Sequence, residues 1–143
     1  MTDTFETIRE PAGIVVPEGL ELDREGLLDL YWWMMLNRRL EERLVNLYRQ
    51  GKVVGGVYRS LGQEAESVGT AYALAGRDFV SPLIRNLGSI LVKGAEPVDI
   101  LKQYMAKGTG PSRGRDLNIH FGDLDKGFVG PVSMLGDMIA VMA

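Results

Sequence analysis

Cysteine is absent from this chain and histidine occurs once, as His120. The first absence excludes disulfides, thiolate metal sites and cysteine nucleophiles, and the second excludes a metal site built from several imidazoles. No stretch approaches the ~20 uninterrupted apolar residues that a membrane helix needs. Surplus positive charge is missing too: 16 Lys and Arg stand against 19 Asp and Glu, a net charge of -3. Neither nucleic acid nor an anionic membrane surface is therefore an expected partner. The first residues, MTDTFETIREPAG, have neither the apolar core of a secretory signal nor the arginine bias of a transit peptide, so a cytoplasmic location is the expectation.

What is present is an ordinary globular balance over 143 residues, 45% hydrophobic and 24% charged. That suits one domain or a piece of one, able to bury a core. Residues 1–22, with two prolines and scattered charges, read as an extended arm. Asp23 is a plausible N-cap for a helix running to Gln50, with Gly51 as its stop. Leu27, Tyr31, Met34, Met35, Leu44, Leu47 and Tyr48 recur near helical spacing and are expected to be its buried stripe, and Arg38 with Glu42 to make a surface pair.

Residues 52–61 read as an irregular extended loop. Gly62 opens a second helix expected to stop at Gly76, with Ala65, Gly69 and Ala73 making a smooth face for close backbone approach. A third helix is expected over 87–93 before Gly94, and a fourth from Pro97 to Gly108. Residues 108–127 are too irregular for an element and long for a mere connection, which marks a candidate functional loop. Phe128 and Val129 suggest a strand end, and residues 133–143 the start of an apolar helix.

Taken alone, the candidate site residues have plain readings. Arg85 before a helix suits a solvated or salt-bridged role, Gly127 and Gly130 suit turns, and His120 suits an ordinary hydrogen bond. Arg113, Arg115, Asp116 and Asp123 suit a solvated charged loop. Phosphate gripping by arginine is the alternative there, although no complete P-loop or dinucleotide fingerprint is present.

Read in order, RRLEERLVNLYRQGKV, GQEAESVGTAYAL, RDFVSPLIRNLGSILVKG, GRDLNIHF and GFVGPVSMLG resemble one family. It is that of the alpha subunits of the thiamine-diphosphate-dependent first component (E-one) of 2-oxo acid dehydrogenases, over roughly residues 25–143. The resemblance implies an α/β thiamine-diphosphate-binding fold, of which this portion is mostly the N-terminal helical region and the start of the parallel sheet. Residues 23–143 would be an incomplete domain, because the family's glycine-aspartate-glycine segment and later asparagine, which hold Mg2+ and diphosphate, would lie beyond Ala143.

The resemblance further implies a cofactor held between this chain and an E-one beta subunit in a heterotetramer, with a small 2-oxo acid as substrate. The acyl group would pass to a lipoyl-bearing transacylase component. By position, Arg85 matches the arginine that contacts the diphosphate, Gly127 and Val129 match residues lining the cofactor, and His120 matches a histidine near the active-site mouth. The chain departs from the family pattern at Ile84, where a tyrosine is usual, at Tyr58, where pyruvate-type enzymes carry histidine, and at Met134 in place of proline. An acetoin dehydrogenase alpha subunit, or an inactive fragment acting as an interaction module, are the alternatives the sequence leaves open.

Overall fold

A computed structural model describes residues 22–134 and 136–143. The expected arm over residues 1–22 therefore lies almost wholly outside the described residues. Five helices follow in order: α1 (Arg24–Arg49), α2 (Glu64–Tyr72), α3 (Leu87–Val92), α4 (Pro97–Tyr104) and α5 (Asp137–Met142).

Asp23 caps α1 as its residue type predicts, its carboxylate accepting the Gly26 amide at 2.8 Å. At the other end Gly51 turns left-handed (φ +70°). Its amide reaches Tyr48 at 2.9 Å and that of Lys52 reaches Leu47 at 3.0 Å, so two carbonyls that the helix leaves open are satisfied. The same pair of bonds closes α3, where Gly94 and Ala95 donate to Leu91 and Ile90. It also closes α4, but there the left-handed residue is Ala106 (φ +50°), whose amide and that of Lys107 bond Gln103 and Lys102. This is why α4 stops ahead of the expected Gly108: the carbonyls are already satisfied at an alanine. Likewise α2 ends at Tyr72, with Ala73 and Leu74 bonding back to Gly69 and Ala71, before Gly76 is reached.

The core joins Leu40, Leu44 and Leu47 of α1 to Leu87, Ile90 and Leu91 of α3 and to Ile100 and Tyr104 of α4. Ile119 and Phe128, from the glycine-rich region, are fully buried in it. The expected α1 stripe is thus half right. Leu44 and Leu47 are buried, whereas Leu27, Tyr31 and Tyr48 are exposed, and the inner face is completed by Leu40 and by two polar residues, Asn37 and Glu41. Hydrophobic periodicity cannot report a face that buries a carboxylate.

Hydrogen bonds explain the polar members. Both oxygens of Glu41 accept the Ser60 amide, at 2.9 and 3.0 Å, and Oε1 also accepts the Ser60 hydroxyl at 2.6 Å. The Asn37 amide donates to the same hydroxyl at 3.0 Å. Arg38 pairs with Glu64, not with the expected Glu42, which Arg39 takes at 3.1 Å. Glu64 also accepts the Gly62 amide at 2.9 Å. The irregular segment before α2 is thereby tied to α1 at two points.

Close packing of α2 falls on another face than the expected one. Ala65 and Ala73 are exposed, while Ser67, Val68 and Ala71 are buried. The near approach comes from Gly88 in α3, where an added Cβ would lie 2.5 Å from Ser67 Oγ and 2.9 Å from Val68 Cγ2.

The described residues contain no strand of a sheet. Isolated parallel bridges join Val80 to Phe128 and Leu83 to Val132. Three amide bonds accompany them: Val80 to Gly127 and Val129 to Val80, each 2.9 Å, and Ile84 to Val132, 3.2 Å. Two segments, residues 80–84 and 127–132, are therefore laid side by side in parallel. No helix of the described residues is long and apolar enough to cross a membrane.

Candidate functional site around the paired segments

Pairing of the two segments brings distant residues together. One cleft, of about 410 Å3, is lined by Gln63, Glu66, Ile84, Arg85, Asn86 and Val132 among others. A second, of about 400 Å3, is lined by Asp116, His120, Phe121, Gly130, Val132 and Met134 among others. Both share Val132 and Ser133, so Arg85 and His120 stand on either side of one short stretch of backbone.

Arg85 is exposed, and among the described residues no carboxylate pairs with it. Its turn is held by Asn86. The Asn86 side-chain oxygen accepts the Leu83 amide at 3.0 Å, its side-chain nitrogen donates to Glu66 Oε2 at 2.9 Å, and its backbone amide reaches the Leu83 carbonyl at 2.9 Å. A guanidinium on a fixed turn, open to a cleft and unpaired, is suited to a ligand bearing phosphate oxygens, which accept its planar fork of donors.

His120 is half-buried, with Nδ1 3.3 Å from Asp116 Oδ1. Asp116 is itself anchored. Its carbonyl accepts from the side chains of Gln103 (3.1 Å) and Ser112 (3.0 Å), and its Oδ1 from the Leu117 amide (2.7 Å). A carboxylate beside Nδ1 orients the ring.

Gly127 and Val129 line neither of these two clefts. Gly127 is buried with φ +75°, and a Cβ on it would stand 2.8 Å from the Asp78 carbonyl. Its missing side chain lets the two segments approach, and the Val129 amide continues their pairing. Arg113 and Arg115 are exposed and line neither cleft. Among the described residues no cluster of three or more His, Cys, Asp or Glu could hold a metal ion.

Sequence reasoning singled out Arg85 and His120 but not Asn86, Glu66 or Gln103, whose roles depend on contacts between elements. Asp116 was marked only as a loop charge; its spacing of four from His120 was the available signal.

Ionisation inside the fold is perturbed away from these clefts. Burial pushes the Glu41 carboxyl up, against the opposing hydrogen bonds from Ser60 and the nearby Arg59 charge. The hydrogen bond from Arg38 holds Glu64 below the usual carboxylate value. Burial also raises the Tyr104 phenol.

Comparison with known proteins adds ancestry to this geometry. The sequence model of the family described as Dehydrogenase E1 component matches residues 33–143. The alpha subunit of acetoin:2,6-dichlorophenolindophenol oxidoreductase from Cupriavidus necator is 35% identical over 117 residues, covering 82% of this chain and 35% of that protein. The pyruvate dehydrogenase E1 component subunit alpha of Zymomonas mobilis is 33% identical, covering 90% and 36%. The 2-oxoisovalerate dehydrogenase subunit alpha of Bacillus subtilis is 37% identical, covering 73% and 32%. The chain spans about a third of the length of these relatives.

Proposed function

The chain belongs to the dehydrogenase E1 component family, and from that premise we propose that it serves in the alpha subunit of a thiamine-diphosphate-dependent 2-oxo acid dehydrogenase. The reaction is oxidative decarboxylation of a small 2-oxo acid with acyl transfer to a lipoyl group on a transacylase. The proposed setting is a cytoplasmic heterotetramer with a beta subunit. Relatives named for pyruvate and 2-oxoisovalerate dehydrogenation support the substrate class. The parallel pairing of residues 80–84 with 127–132 supports reading this region as the start of the fold's parallel sheet.

One observation carries the proposal for this chain: the unpaired Arg85 and the Asp116-linked His120 flank the same Val132–Ser133 stretch. Thiamine diphosphate, when bound, would supply the electron sink for decarboxylation. Arg85 would hold its diphosphate as a permanent cation in the first cleft. His120, its ring oriented by Asp116, would meet the substrate in the second cleft. Gly127 and Val129 contribute to cofactor binding through the backbone pairing that shapes the cleft wall. Magnesium, which the resemblance implies beside the diphosphate, finds no cluster of ligands among the described residues.

The 35% identity to an acetoin-oxidising relative favours a second reading, cleavage of acetoin on the same site. Assay of the full-length alpha protein with its beta partner on pyruvate, branched-chain 2-oxo acids and acetoin separates the two. Turnover of a 2-oxo acid is expected, and activity confined to acetoin would transfer the proposal to the second reading.

A further inference from the structure

We infer that Asn86 and Glu66 are positioning residues for Arg85, acting together to keep its guanidinium open to a diphosphate. The inference rests on the reading of Arg85 as the diphosphate-binding cation. Its starting point is an apparent conflict: Glu66 and Arg85 line one cleft, yet no ion pair joins them. An anionic ligand entering that cleft would meet a carboxylate able both to repel it and to compete for the arginine.

Asn86 restrains the competition for the arginine with one side chain, by engaging one of the two carboxylate oxygens. Its Nδ2 donates to Glu66 Oε2 at 2.9 Å, which occupies the carboxylate with a neutral donor. Its Oδ1 accepts the Leu83 amide at 3.0 Å, which closes the Leu83–Asn86 turn around Arg85. The Ile84 amide, bonded to Val132, fixes the same turn from the opposite side. Neither Asn86 nor Glu66 needs to touch the ligand. The isoleucine at position 84 offers no polar group to share the task, so the load falls on Asn86.

The test is a double-mutant cycle on the full-length protein in its assembled form, with thiamine diphosphate affinity measured calorimetrically at fixed magnesium. Asn86→Ala is expected to weaken binding by about five- to tenfold, the effect of one or two lost hydrogen bonds. In an Arg85→Ala background the same substitution should cause no further loss, because there is no guanidinium left to position. Additive losses, or no loss from Asn86→Ala alone, would overturn the positioning role.

An unchanged affinity in Arg85→Ala alone would overturn the underlying assignment of Arg85 instead. Should Asn86→Ala fail to assemble, a charge-conserving exchange takes its place. Asn86→Asp alone sets two carboxylates together and should weaken binding. Combining it with Glu66→Gln restores a donor and an acceptor across the same contact and should recover most of the affinity. Failure of the combined variant to recover would refute the inference.

Discussion

Glu41 takes a carboxylate into the interior and gives both its oxygens to one residue, Ser60. Replacing it by alanine leaves the buried Ser60 amide without an acceptor, and a loss of about 1–3 kcal/mol is expected in denaturant unfolding. The folded-state pKa of Glu41 lies above its ordinary 4.5. Its contribution is therefore fully present below that value and is lost as pH rises through the raised pKa. Glu41→Gln should flatten this decline, and an unaltered slope of stability against pH over that window would contradict the account. Glu64 behaves oppositely. Its pKa is depressed by Arg38, so its contribution is present above 4.5 and is lost as pH falls through the lowered value. Arg38→Gln should accordingly destabilise at neutral pH and have a vanishing effect in acid, measured as unfolding midpoints across a pH series. Gly88 has a steric role, since alanine there would meet Ser67 and Val68 inside contact distance. A cost of about 1–3 kcal/mol is expected, typical of overpacking.

Three of the helices, α1, α3 and α4, end by a common device, and α4 is the informative case. Gly51 and Gly94 sit in the left-handed position at the ends of α1 and α3 and were readable as stops, because glycine is the residue that position prefers. Ala106 holds the same position after α4 and carried no such signal. Ala106→Gly should stabilise the fold by about 0.5–1 kcal/mol, the left-handed penalty of alanine less the added chain entropy of glycine. A lowered melting temperature would show that the position is not strained. The motif segments gain a physical meaning at this scale too. In RRLEER, Arg38 and Glu41 tie α1 to the chain before α2, and in GQEA, Glu64 receives one of those ties. Those three motif residues are thus structural, while Gln63 and Glu66 of the same GQEAES segment line the first cleft.

Across the whole molecule, the candidate site depends on two segments some forty residues apart being laid in parallel. In the proposed role Arg85 would offer a diphosphate one cation, and no metal-ligating cluster is found among the described residues. The 143-residue chain alone should therefore bind thiamine diphosphate and magnesium weakly or not at all, since burying that charge without a counter-cation is costly. Calorimetric titration showing tight binding would require a cation site that these residues do not display. What the sequence by itself determined is local: Asp23 as a cap, glycine stops at 51 and 94, the helical spacing of Leu44 and Leu47, and the ordered motifs that pointed to the family. The cap, the stops and the spacing follow from residue types acting on their own neighbours in the chain, and the motifs from resemblance alone. Only the tertiary structure decided that Arg38 reaches Glu64, that Glu41 turns inward, that Gly127 serves backbone approach, and that Asn86 donates to Glu66. Those outcomes were set by competition among partners remote in sequence, which no local period or cap signal encodes.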